Sequence, residues 1–314
     1  MVKVGVAVIA ATLAILVAEF LRQRTRSLPA YGWLALVSLA GAEWLMFRGV
    51  EPVATFFTPI AWTAYILAAD AAVFAVSGHS RLRDSPREFA RMALLSVPLW
   101  LIFEAYNLRL ENWTYRGLPL NWLASWFGYG WSYATITPAV FVTADLIEGF
   151  GWFARPSRPV EFRATPERVC MALGAFLLVL PLLMPQRVAS RLFALVWLGF
   201  ILLLDPVNRR LRLPSIIGDF EQGRGGRLKA LLVSGWVCGW LWEFWNYWAS
   251  AKWHYTFPMF QQWKIFEMPA PGYLGFPPFA VECFVMYVFA AWLLGWRPAR
   301  LDLGRPAAQH VGSK

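Results

Sequence analysis

Nine apolar runs alternate with short polar connections along the chain, near residues 4–20, 30–47, 57–77, 92–108, 130–149, 169–185, 192–205, 230–248 and 273–296. Helices of this length rise far enough, at 1.5 Å per residue, to match the apolar thickness of a bilayer. The pattern predicts an all-α, polytopic integral membrane protein with about nine transmembrane helices. The run at 192–205 is short, and the segment at 120–135 also suits an interfacial position.

Charge sets an orientation on this pattern. Of the 29 Lys and Arg, 21 fall in one alternate set of connections, from Arg22 to the Arg297–Lys314 tail, and 8 in the other. Cytoplasmic connections carry the excess of basic residues, so the N-terminus is expected outside and the C-terminus inside. Three arginines follow the first apolar run, opposite to the order in a cleaved signal peptide, so this run is expected to stay as a span. The net charge of +10 thus reports topology and anionic-lipid contact, with no nucleic-acid partner. A composition of 58% hydrophobic and 15% charged residues, with mean hydropathy +0.46, excludes an ordinary soluble domain. The expected location is the bacterial inner (plasma) membrane. Cys170, Cys238 and Cys283 lie in apolar stretches, an odd number that suggests neither a disulfide framework nor a thiolate metal site.

The chain also states one pattern twice. Residues 104–115 contain Glu104, Asn107, Trp113 and Tyr115, and residues 243–255 contain Glu243, Asn246, Trp253 and Tyr255. Trp62 and Asp70 match Trp197 and Asp205 at an offset of 135, and Pro138 matches Pro278 at 140. Steady offsets argue for duplication. The organisation expected is an N-terminal helix and turn (1–29), a first four-helix repeat (30–150), a cytoplasmic linker (151–168), a second four-helix repeat (169–296) and a cytoplasmic tail (297–314). Because four is even, the repeats insert in parallel, with a pseudo-axis along the membrane normal.

This topology places Glu43, Glu104, Glu243 and Glu282 toward the outer side. An ionisable residue inside a span is costly and marks a candidate functional site. Glu and Asn three apart share a helix face, so Asn107 and Asn246 are expected to orient Glu104 and Glu243. These four residues and Glu282 form the candidate catalytic set. Arg48 offers Glu43 a structural partner instead. Trp113, Tyr115, Trp240, Trp253, His254 and Tyr255 are candidate substrate-binding residues. An aromatic belt at the headgroup level competes as the explanation of the Trp-x-Tyr pairs. The stretch Met268–Pro278 is expected to be irregular. Asp205 reads as a helix-end residue and Asp70 as a polar step toward the cytoplasm. His254 lies near Glu243, but a lone His among aromatics reads as a hydrogen-bonded side chain, so no metal is expected and no cofactor is identified.

Three functions compete. An apolar cleft with indoles and carboxylates suits an enzyme acting on a lipid or isoprenoid by acid/base chemistry, the ring faces favouring developing positive charge. Parallel repeats suit a proton-coupled carrier or lipid translocator. The third reading is a non-catalytic membrane-complex subunit. Membrane lipids and an apolar small molecule are the partners expected; the oligomeric state is not set by the sequence.

Overall fold

The computed structural model describes residues 1–296; the tail expected at 297–314 lies outside them. The helices are α1 (Val2–Gln23), α2 (Ala30–Phe47), α3 (Phe57–Ser77), the short α4 (Arg81–Asp84), α5 (Pro86–Leu110), α6 (Trp122–Gly149), α7 (Ala164–Leu183), the short α8 (Gln186–Ala189), α9 (Phe193–Arg210), the short α10 (Ile216–Glu221), α11 (Gly226–Trp248) and α12 (Phe276–Leu293). Four short strands accompany them: β1 (Trp113–Arg116), β2 (Lys252–Tyr255), β3 (Lys264–Ile265) and β4 (Met268–Pro269). Local chemistry sets several boundaries. Pro86 stands at the first turn of α5, where a missing N–H costs nothing. Asn121 caps α6 by accepting from Leu123 N at 2.9 Å and Ala124 N at 3.2 Å.

Among the described residues six helical segments are long and apolar enough to cross a membrane: α1, α2, α3, α5, α7 and Ala270–Leu293. This is the character of an integral membrane protein. Each of the other three expected spans is also a helix, α6, α9 and α11, but does not reach that hydropathy. The reason for α6 and α11 is burial: each has 13 buried residues, so Tyr133, Thr135, Thr137 and Thr143 of α6 and Ser234, Gly235 and Gly239 of α11 meet protein instead of lipid. α1, α2 and α7, with about a fifth of their apolar windows buried, lie on the outside.

The structure moves some expected boundaries. α6 runs unbroken from Trp122, making the 120–135 segment largely helical, and α5 starts six residues before the apolar run does. α7 begins at Ala164, within the expected linker 151–168, because Glu167 in its first turn pairs with Arg209 at 3.0 Å and Arg210 at 2.8 Å. Residues 270–275 form a 3-10 turn before α12, the irregular approach that its prolines and glycines imply.

Packing follows one order in two sets of four helices. α2 packs on α3, α3 on α6 and α6 on α5; α7 packs on α9, α9 on α12 and α12 on α11. The sets meet chiefly where α6 lies against α11.

Candidate functional site

The site is assembled where α5 and α11 end. α5 stops at Glu111, whose φ of 53° is left-handed. The chain then turns back under the control of Asn107, whose Oδ1 accepts from Asn112 N at 2.8 Å and Trp113 N at 3.2 Å while its Nδ2 donates to Trp113 O at 2.9 Å. Asn246 holds the second copy alike: Oδ1 accepts from Trp253 N at 2.9 Å and Nδ2 donates to Trp253 O at 3.0 Å. Neither amide is bonded to its glutamate. Each anchors a strand instead of orienting a carboxylate, and their spacing from Glu records a shared helix face with a different partner.

The two anchored strands pair antiparallel, with Trp113 opposite Tyr255, Thr114 opposite His254, Tyr115 opposite Trp253 and Arg116 opposite Lys252. Because side chains alternate across a strand, the four repeated aromatics share one face, and all four line a cavity of about 610 Å³. Trp62, Trp100, Tyr129, Trp197, Trp242 and Phe279 contribute to the rest of its wall. Among the described residues the only charged ones in the lining are Arg191 and Lys252.

The glutamates stand behind this wall. Glu104 Oε1 accepts from Tyr115 Oη at 2.5 Å, Trp100 Nε1 at 2.8 Å, and Trp113 Nε1 and Tyr133 Oη at 3.2 Å each. Glu243 is fully buried; its Oε1 accepts from Tyr255 Oη at 2.8 Å, and its Oε2 has no partner. Trp253 Nε1 in turn donates to Tyr255 Oη at 3.1 Å. Burial, reinforced by Tyr133 and Glu104 for Tyr115 and by Glu243 for Tyr255, raises both strand phenols well above their ordinary value. They are therefore neutral hydroxyls, each joining a carboxyl group to the cavity.

Of the expected site residues, Trp113, Tyr115, Trp253 and Tyr255 thus line the cavity, while Glu104 and Glu243 reach it through tyrosines. The other expected residues lie apart. Glu282 is fully buried on α12 with neither oxygen partnered. Trp240 stacks on Tyr273 at 3.9 Å between ring centroids, and His254 Nδ1 is 2.8 Å from Glu267 Oε2. Glu43 accepts from Trp245 Nε1 at 3.0 Å, whereas Arg48, its expected partner, lies over the Trp44 ring. Among the described residues no three His, Cys, Asp or Glu side chains gather as a metal-holding group.

Trp100, Tyr129 and Tyr133 are cavity residues that the motif does not include. Tyr133 had a signal, since Tyr273 follows it at the repeat offset of 140. Toward the other side, Asp70 accepts from Leu82 N at 3.1 Å and Asp205 from Ile217 N at 2.9 Å, matching positions again 135 apart. Tyr31 and Ser80 also donate to Asp70, at 2.8 Å each. Asp70 is thus engaged as a helix-end cap like Asp205. Arg81 grips Asp145 with two bonds of 2.5 and 2.7 Å, both side chains buried. Comparison with protein-family models, with curated proteins and with solved structures gave no match.

Proposed function

We propose that this chain is an integral membrane enzyme that holds a lipid or isoprenoid in the aromatic cavity and works on it by acid/base chemistry. The carrying observation is that two carboxyl groups, Glu104 and Glu243, are each bonded to a phenol on the wall of one cavity. A largely apolar pocket with a few convergent polar groups suits a small hydrophobic ligand, and proton transfer through a positioned hydroxyl suits general acid/base work. The indoles around it would favour positive charge developing on the ligand.

The proposal includes nine spans, the N-terminus outside, the C-terminus inside, and parallel repeats at 30–150 and 169–296 in a bacterial inner membrane. The equal order of helix packing, the two Asn-anchored strands and the two Asp-capped turns support duplication. The cavity then opens on the outer side.

The same matched halves favour a second reading, a proton-coupled carrier or lipid translocator. The buried Arg81–Asp145 pair and the engaged Asp70 speak against a route continuing inward in this state. Mass spectrometry of gently extracted protein tests the ligand: an isoprenoid or other lipid retained by wild type and lost from Trp242→Ala is expected. Glu104→Gln and Glu243→Gln should both abolish turnover of that ligand while the protein still inserts and folds. Full turnover in both variants would reject the enzyme. Ligand movement across vesicles without conversion would select the carrier, and an unaltered ligand that stays bound would select a non-catalytic subunit.

A further inference from the structure

The two copies of the motif share a framework but differ in how their glutamates are partnered. Around Glu104, four donors converge on Oε1. An anion accepts several N–H and O–H bonds at once, and such bonds stabilise its charged form. Around Glu243 two of the matching donors have gone and a third is shared. Gly239 occupies the place of Trp100 at the motif offset of 139. Tyr273, the counterpart of Tyr133, donates away from the site to Ile265 O at 2.9 Å. Trp253 divides its N–H between Tyr255 Oη, at 3.1 Å, and the carboxyl group. Tyr255 remains as a full donor and Trp253 as a shared one, against four at Glu104, and among the described residues the buried Oε2 has no partner. An ionised carboxylate in that place would be a charge with an unsatisfied oxygen, whereas the neutral acid carries its own proton there. The charged groups acting on Glu243 are Glu267 and Lys264, one of each sign, 3.9 Å from one another.

Resting on the acid/base reading above, we infer that the site is divided, Glu104 being the carboxylate that draws a proton out of the cavity through Tyr115 and Glu243 the acid that supplies one through Tyr255. Environments that separate two like groups assign acid and base. On the accepting side, a ligand–H bond breaks and its proton binds the Tyr115 oxygen as the Tyr115 proton passes to Glu104. The electron pair of the broken bond stays on the ligand. On the supplying side, the Tyr255 hydroxyl turns from Oε1 toward the ligand and the Glu243 carboxyl turns its O–H to Tyr255 Oη; the Tyr255 proton then forms a new bond to the ligand as the Glu243 proton passes to the Tyr255 oxygen. The ligand loses one proton and gains one, so the net change is an isomerisation that needs no oxidant or reductant, and proton exchange with water then restores Glu104 as carboxylate and Glu243 as acid. Tyr255 lies diagonal to Tyr115 across the strand pair, opposite Trp113, and such neighbours stand roughly 7–8 Å apart. Glu104 and Glu243 act through the phenols and are positioning residues.

Infrared difference spectroscopy of the full-length protein in lipid nanodiscs, in ordinary and heavy water, reads these states without a substrate. At neutral pH the protonated-carboxyl band should lose intensity in Glu243→Gln and keep it in Glu104→Gln. Glu282→Gln should remove a separate component, since neither of its oxygens has a partner. A loss in Glu104→Gln, or an unchanged band in folded Glu243→Gln, would overturn the division. Should a Gln variant not fold, Tyr255→Phe removes the principal donor to Glu243 and should shift its band to higher frequency, with Tyr115→Phe leaving it in place. An unshifted band in Tyr255→Phe would overturn the division as well. The spectra do not depend on turnover, so a protein that neither binds nor converts a lipid yet keeps this pattern would refute the enzyme and leave the division standing.

Discussion

At residue scale, Asn246 spends its amide on the backbone of a single residue, Trp253, from a fully buried position. Asn246→Ala would leave a backbone N–H and C=O of Trp253 without those partners, and unpaired buried groups cost about 1–3 kcal/mol. The variant should therefore unfold at lower temperature in detergent by that amount, with Tyr255 displaced from the cavity; unchanged stability would show that the strand holds itself. Glu221 makes a different kind of prediction, through pH. The Arg209 guanidinium bonds it at 2.6 and 2.9 Å and holds its carboxyl below the ordinary 4.5. The folded protein then binds fewer protons than the unfolded chain in acid, so this contribution is present above pH 4.5 and is lost below it, as pH falls through the lowered folded value. In Glu221→Gln the acid slope of the unfolding temperature should flatten, with the variant less stable than wild type near neutrality and equal to it at the acid end. The repeated glutamates, amides and aromatics were legible in the sequence because spacing carries them. The direction of each side chain was not: Glu and Asn share a face, yet one turns to a tyrosine and the other to a backbone four or more residues away.

At the scale of elements, backbone approach distinguishes pairs of helices that hydropathy treats alike. A Cβ on Gly174 of α7 would lie 2.5 Å from Leu203 N of α9, and one on Gly199 of α9 would lie 2.7 Å from Leu178 Cγ of α7. Small residues permit such contact in a bilayer, where apolar burial between helices gives little advantage over lipid. Gly41 on α2 supplies the control, because a Cβ there meets nothing within 4 Å. Gly174→Val should destabilise the folded protein by about 1–3 kcal/mol, read as earlier loss of the folded band on heating, while Gly41→Val should fall within the scatter of wild type. Equal behaviour would remove the close contact between α7 and α9. Helices at the nine expected places were readable from the runs of apolar residues, since period and length suffice for that. The lower hydropathy of α6 and α11 is equally physical: side chains that face protein need not dissolve in lipid. Strands β1 and β2 escaped the sequence reading because four residues offer too little alternation, and each gains its partner from a segment 139 residues away.

At the scale of the molecule, the two sets of helices are joined on one side by the β1–β2 pair and inside the bundle by α6 against α11. The strand register relates the copies reciprocally: Trp113 meets Tyr255, and Tyr115 meets Trp253. Such an exchange is what a two-fold axis passing between Thr114 and His254 produces, and under the parallel insertion proposed above that axis would stand along the membrane normal. Thr114 and His254 directly oppose one another, and opposed residues hold their Cβ atoms about 4.5–5.5 Å apart, close to the reach of a disulfide. A protein carrying Thr114→Cys and His254→Cys, with a protease site placed in the 151–168 linker, tests register and orientation together. A membrane-impermeant oxidant applied outside intact cells should join the cysteines, so that cleavage releases one linked species and reduction separates two. Each single variant should separate without reduction, and Thr114→Cys with Lys252→Cys should join much more slowly. Linkage formed only when the oxidant is given access to the cytoplasm would invert the topology. Absence of linkage from either side in folded protein would undo the strand pair, and with it the shared wall on which Tyr115 and Tyr255 meet.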